Sequence, residues 1–202
     1  FPDNAVGYFV SYYDFYQPEA YIPQTDTYIE KETEINEEID KLRLAATKNL
    51  LTRKDTLIVA SVSCIYNLGN PKEYDKFSLK LSSGQKNSRE NILSGLINLQ
   101  YERSEFGFHR STFRLRGDYI DVFLAYESEA LRIQTDFEKI VSLFKFDPLS
   151  GKISNRLDSF DIYPAKHYLI DREAFKNSEQ QIREDLKKEY EDLKKEHKLL
   201  EA

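Results

Sequence analysis

The spacing of apolar and polar positions changes period several times along the chain, and each change marks an element. From Asn36 the run NEEIDKLRLAATKNLL places Ile39, Leu42, Ala46 and Leu50 on one helical stripe. Asn36 suits the cap, and Glu37 and Glu38 fall in the first turn, where unpaired N–H groups and the helix dipole favour acceptors and negative charge. A helix is predicted to about Leu51. The following DTLIVASVS is almost wholly apolar and β-rich, the pattern of a strand covered on both faces in a parallel sheet, which points to an α/β parent. Ahead of the helix, residues 1–35 are dense in tyrosine and carry Pro18 and Pro23 between aromatic and β-branched runs. They read as two extended arms around a loop.

After Gly69-Asn70-Pro71 the pattern shifts to FSLKLSSG, a helix candidate around Arg89 to Gln100, and then alternating strands, so a second, α+β domain is predicted from Phe77. Its clearest feature is TFRLR-Gly117-Asp118-YIDVFLA, two alternating runs joined by two residues with glycine first, which suits a type II′ hairpin. That register sets Arg116 opposite Tyr119 and Arg114 opposite Asp121. Phe113, Leu115, Ile120 and Val122 take the other side, so one face is core and the other displays arginine. A further hairpin is predicted with Asp147–Gly151 as the turn between KIVSLFKF and KISNRLDSFDIYPA. From Arg172 the chain is charged and helical, with Leu186, Tyr190, Leu193, His197 and Leu200 forming a narrow seam. That seam reads either as intramolecular packing or as a short coiled coil.

Composition narrows the chemistry. With 202 residues, 40% hydrophobic and 32% charged, the chain can build a core and is no disulfide mini-protein. A net charge of -6 argues against a generally basic nucleic-acid coat. Cys64 is the single cysteine; it excludes an internal disulfide, fits a reducing compartment, and reads as a free thiol in the core. There is no apolar run of about 18 residues and no signal-peptide order at the start, so a soluble chain is expected. The absence of methionine and the start inside patterned sequence read as a piece of a longer protein. No GxxxxGKS/T or GxGxxG loop is present, and His109, His167 and His197 lie far apart without an HExxH pattern, so neither a nucleotide cradle nor a metal site is predicted.

The unusual stretch is SYYDFYQPEAYIP. Strand alternation sends its rings to both faces, where they either stack on or between bases or pack against a part of the parent. Between Phe1 and Glu30 there is no Lys, Arg or His, but there are Asp3, Asp14, Glu19, Asp26 and Glu30. Phosphate neutralisation normally supplies much of non-specific affinity, so such an arm needs another agent to load it on DNA. The Arg114/Arg116 face, with Arg103 and Arg110 near in sequence, is either a basic docking patch or a set of surface ion pairs, worth about 0–1 kcal/mol each.

NAVGYFVSYYDFYQPEAYIPQTDTYIEK, INEEIDKLRLAAT, IVASVSCIYNLGNPKEY, QYERSEFGFHRSTFRLRGDYIDVF and IYPAKHY together resemble the UvrB family of bacterial nucleotide excision repair, over essentially the whole chain. The resemblance implies an α/β fold. Residues 1–76 would be part of a helicase-like P-loop NTPase domain with an aromatic β-hairpin at about 10–36. Residues 77–171 would be an inserted α+β UvrA-binding domain, and 172–202 a charged helix returning to the hairpin-bearing domain. By motif, Tyr12, Tyr13, Phe15, Tyr16, Glu19, Tyr21 and Tyr28 take strand-separating and damage-probing positions, Arg43 a DNA-contacting one, and Arg103, Arg114 and Arg116 those that dock UvrA. Phe15 stands where the family usually has Tyr, and Asn67 where it usually has Gly.

The implied activity is damage verification in a cytoplasmic, SOS-linked excision nuclease, with damaged DNA and UvrA as partners and UvrC reached through other parts of the parent. The fragment itself would need no cofactor and be inactive alone. ATP and Mg2+ would serve the parent, whose ATP-binding loop lies upstream of Phe1 and whose acidic and arginine-bearing motifs lie downstream of Ala202. Two rivals stand beside this reading. One is the UvrA-docking module of a transcription-repair coupling factor, which the YYDFYQPEAY arm disfavours. The other is a self-sufficient nuclease or hydrolase, for which no spaced acid pair or nucleophile-base set is present.

Overall fold

The computed structural model describes residues 1–11, 15–34, 36–65, 74, 77–169 and 172–198; for 15–17, 32–34, 63 and 172–177 it describes the main chain alone. The chain divides into two units, Phe1–His167 and Tyr168–Ala202.

The first unit opens with strand β1 (Ala5–Phe9), and an excursion of four short strands separates it from helix α1 (Glu37–Thr52). These strands are β2 (Phe15–Gln17), β3 (Ala20–Ile22), β4 (Thr27–Ile29) and β5 (Glu32–Glu34). β2 pairs antiparallel with β5 and β3 with β4, so the excursion is a two-stranded arm that turns at residues 23–26. Pro18 and Pro23 fall outside the ladders, where their missing N–H costs no bond. α1 then begins as predicted: the Asn36 side chain accepts from the Glu38 and Ile39 N–H groups at 3.0 Å each.

After α1, β6 (Thr56–Ala60) pairs parallel with β1, Gly7 opposite Ile58. The parallel pairing agrees with the apolar run, but the strand is not covered on both faces within this chain: Val6 and Tyr8 of β1 and Leu57 and Val59 of β6 stay exposed on one side. The run also ends early, because residues 62–65 form a 3₁₀ turn. Cys64 therefore sits half-buried in that turn rather than in a strand core.

The remainder of the unit carries β7 (Leu79–Ser82), α2 (Arg89–Asn98), β8 (Glu102–Arg103), β9 (Thr112–Arg116), β10 (Tyr119–Phe123), β11 (Ala130–Asp136), β12 (Lys139–Phe146), β13 (Ile153–Leu157) and β14 (Ser159–Ile162). Six of these strands form one sheet in the order β13-β12-β11-β10-β9-β8, and β14 pairs with β7 beside it. The Gly117-Asp118 turn holds the predicted register, Arg116 opposite Tyr119 and Arg114 opposite Asp121. Gly117 has φ +57, and Asp118 is not among the positive-φ residues, as a type II′ turn requires. The Asp147–Gly151 hairpin also forms between β12 and β13. The segment after it is not one strand: it breaks at Asp158, and β14 leaves the large sheet for β7.

The core gathers Leu81, Ile92, Leu96, Phe113, Ile120, Leu131 and Leu143, and Leu44 of α1 belongs to the same cluster. This changes the inner face of α1. Its buried residues are Arg43, Leu44 and Ala46, whereas Leu50 is 58% exposed. The predicted stripe assumes one apolar contact. The helix instead meets β1 on one side, at Gly7 and Ala46, and the sheet body on another, at Leu44.

The second unit is helix α3 (Arg172–Lys195). It stops before His197, whose φ is +63, so the predicted seam is cut short, and Leu186 and Tyr190 on it are exposed. Leu200 lies outside the described residues. No helix among the described residues is long and apolar enough to cross a membrane.

Candidate functional site

Two surfaces collect the residues singled out by sequence. The first is the arm. Tyr21 and Tyr28 face each other on one rung of the β3/β4 ladder and are 56% and 55% exposed. Each hydroxyl donates to a carboxylate: Tyr21 to Asp26 Oδ1 at 2.7 Å, and Tyr28 to Glu19 Oε1. The bond to Asp26 raises the Tyr21 phenol above its ordinary value. Asp26 reaches across the turn from a left-handed main chain, φ +48, a conformation that Asp tolerates better than most residues. Phe15 and Tyr16 pair with Glu34 and Thr33 on the lower ladder. Tyr12 and Tyr13 lie outside the described residues.

Arg43 is not on this surface. It is 3% exposed, its Nη1 donates to the Val10 carbonyl, and its guanidinium carbon lies 4.1 Å over the Phe9 ring. Beside it, His167 shares a 3.0 Å hydrogen bond with Thr47 Oγ1, meets Phe9 edge-on at 5.8 Å and stacks on Tyr74 at 6.2 Å. Burial first, and then the charge of Arg43, pushes the imidazole down to about 4, so it is neutral at neutral pH.

The second surface is the β9/β10 hairpin. Arg116 is exposed at its end; Arg103, on the edge strand β8 opposite Phe113 of β9, is also exposed, with Glu105 at 2.7 Å. Arg114 differs. Its Nη2 lies 3.2 Å from Asp121, whose side chain is wholly buried, and its guanidinium carbon stacks 4.0 Å over Phe108. Arg132 of β11 completes the group, donating to both Asp121 oxygens at 2.6 and 2.9 Å, and that bond raises its own pKa further. The face predicted to display arginine is therefore partly closed. Arg114 is consumed in a three-residue ion group, and Arg116 and Arg103 are what solvent meets. Arg110 is turned toward α1, donating to the Glu37 carbonyl.

Sequence reasoning missed Arg132, Phe108, His167 and the Lys48–Glu127–Lys145 ion group, because each acquires its role across strands or elements remote in the chain. Only the β10/β11 pairing, Asp121 opposite Arg132, could have been sought, and no tight turn marks its register. Among the described residues no group of three or more His, Cys, Asp or Glu is placed to hold a metal. No GxxxxGKS/T or GxGxxG loop occurs in the sequence.

Residues 79–168 match the family described as the UvrB interaction domain. Over all 202 residues the chain is 50% identical to the UvrABC system protein B of Protochlamydia amoebophila, of which it covers 30%. The proteins of the same name from Syntrophotalea carbinolica and Oleidesulfovibrio alaskensis are 48% and 49% identical over 203 residues, again covering all of this chain and 30% of theirs. A UvrB interaction domain set in near-half identity from end to end makes the chain similar throughout to UvrABC system protein B, as a segment spanning about 30% of the length of the relatives it matches.

Proposed function

We propose that this segment serves nucleotide excision repair as the damage-testing part of UvrB. UvrA would dock on the sheet body at Arg116 and Arg103, and the arm would then enter between DNA strands and test base stacking. The observation that carries the reading is the Tyr21/Tyr28 rung: two rings more than half exposed, on an arm with no cation between Phe1 and Glu30. Rings of this kind can stack on any base for about 1–3 kcal/mol each. Carboxylates beside them repel phosphate, so the arm is suited to discriminate once delivered and ill suited to find DNA unaided. UvrA supplies the encounter and the arm the selection. Residues 1–76 would belong to a helicase-like domain whose ATP and Mg2+ are held by other segments of the full protein, and UvrC would be met there too.

The test is made in full-length UvrB carrying this segment. Tyr21→Ala/Tyr28→Ala should abolish damage-specific loading while UvrA binding, read by calorimetry, is unchanged. Arg103→Glu/Arg116→Glu should lose UvrA binding with the fold intact. Loss of both functions in the tyrosine variant would overturn this division of labour.

A further inference from the structure

We propose that Arg43 is a positioning residue that clamps the root of the arm, and that its influence on DNA passes through the arm rather than through contact with phosphate. The inference uses the proposed reading only for its consequence on DNA; the clamp itself is a property of the DNA-free chain.

The argument starts from where the guanidinium is. A residue 3% exposed has its donors turned into the chain. Nη1 binds the carbonyl of Val10, the residue that follows β1 where the chain departs into the arm. The guanidinium plane rests on Phe9, the last residue of β1, so one side chain grips two consecutive residues at the exit point. A planar fork with an aromatic floor fixes direction in a way a flexible ammonium does not. The pocket is closed by His167, edge-on to Phe9 and bonded to Thr47 one turn along the helix from Arg43. Because that imidazole is neutral at neutral pH, it brings no second charge against the guanidinium.

The other end of the arm is held by the same helix. β5 ends at Glu34, and Asn36 then caps α1 through two hydrogen bonds to its first turn. α1 thus fixes the departing strand with Arg43 and the returning strand with Asn36. The arm needs this, since its ladders are three residues each and isolated two-stranded ribbons are marginal in water. Anchoring both roots on one helix gives the rung at Tyr21 and Tyr28 a defined direction before any DNA arrives.

The experiment measures the arm without DNA. In the full 202-residue chain with Cys64→Ser, spin labels at Thr25→Cys and Leu149→Cys report the distance from arm tip to sheet body. A second pair at Phe137→Cys and Leu149→Cys reports the body alone. Arg43→Lys keeps the charge and removes the fork; Phe9→Leu keeps the arginine and removes its floor, and serves should the first variant fail to fold. Both should widen the tip-to-body distribution by roughly twofold or more and leave the body pair unchanged. An unchanged tip distribution in a folded variant overturns the clamp, and so does a wild-type distribution already as broad as the variants'. A direct phosphate contact gives the opposite pattern: an unmoved arm, with the salt dependence of DNA binding reduced by about one ion.

Discussion

Lys48 Nζ lies 2.6 Å from Glu127 Oε1, so the helix on which the arm is rooted is ion-paired to the loop that leads into β11. Lys145 of β12 takes the other Glu127 oxygen, and both lysines also stand near rings, Lys48 at 4.9 Å from Tyr126 and Lys145 at 5.4 Å from Phe160. One carboxylate therefore joins α1 to the sheet body.

Glu127→Gln should cost on the order of 2 kcal/mol at neutral pH, because it leaves two half-buried ammonium groups facing a neutral amide. Burial raises the Glu127 carboxyl, but Lys48 and Lys145 outweigh it and hold the group below the ordinary 4.5. A depressed carboxylate contributes stability above its unfolded value and loses it as pH falls through the folded one. The gap between wild type and variant in urea melts should thus be full at neutral pH and shrink below 4.5. A gap that persists at about pH 3 would show that the loss is packing rather than charge.

His167 gives a second window of the same sign at higher pH. Its folded value of about 4 lies below the ordinary 6.5, so the unfolded chain binds the proton first. Stability is unaffected above about 6.5 and falls between there and 4, by about 3 kcal/mol in all. His167→Gln retains a partner for Thr47 and removes the titration. Its stability relative to wild type should improve across that interval by about the same amount when melts are followed as a function of pH. Parallel curves for the two proteins would mean that His167 is protonated in the fold.

Gly7 has no room for a side chain. A Cβ there would meet Ile58 Cδ1 at 2.5 Å, Ala46 Cβ at 3.0 Å and Ala46 Cα at 3.3 Å. The isoleucine tip can turn aside, but the α1 main chain cannot without moving the helix. Gly7→Ala should cost about 1–3 kcal/mol in denaturant melts, with an m-value unchanged from wild type. A neutral result would show that α1 floats on β1, and would weaken the clamp at Arg43 as well.

The same contrast separates the arginines. Arg116 sits at the exposed end of its strand, and reversing its charge leaves the fold alone. Arg114→Glu would set a second carboxylate against wholly buried Asp121, so a lost interaction in that variant would speak of folding, not docking. In sequence both are arginines on the same strand face two residues apart, told apart only by the hairpin register that sets Arg114 opposite Asp121 and Arg116 opposite Tyr119. What the tertiary structure adds at Arg114 is Phe108 from a loop and Arg132 from β11, which close over the Arg114–Asp121 pair.

What the sequence by itself determined is what depends on near neighbours. The Asn36 cap, the Gly117-Asp118 register, the Asp147–Gly151 turn and the parallel strand after α1 all follow from residues within a few positions of one another, because turn dihedrals and cap hydrogen bonds are local. The motifs that carry the UvrB resemblance are equally local strings. Only the tertiary structure decided which polar groups are buried. Arg43 takes a DNA-contacting position by resemblance until Phe9, Val10 and His167 close over it, and Arg114 reads either as a docking residue or as a surface ion-pair partner of Asp121 until Phe108 and Arg132 engage the pair. Burial of a charge is set by what the rest of the chain places around it. A period of 2 or 3.6 residues records which side of an element faces inward, and α1, gripped on two sides, has no single inward side to record.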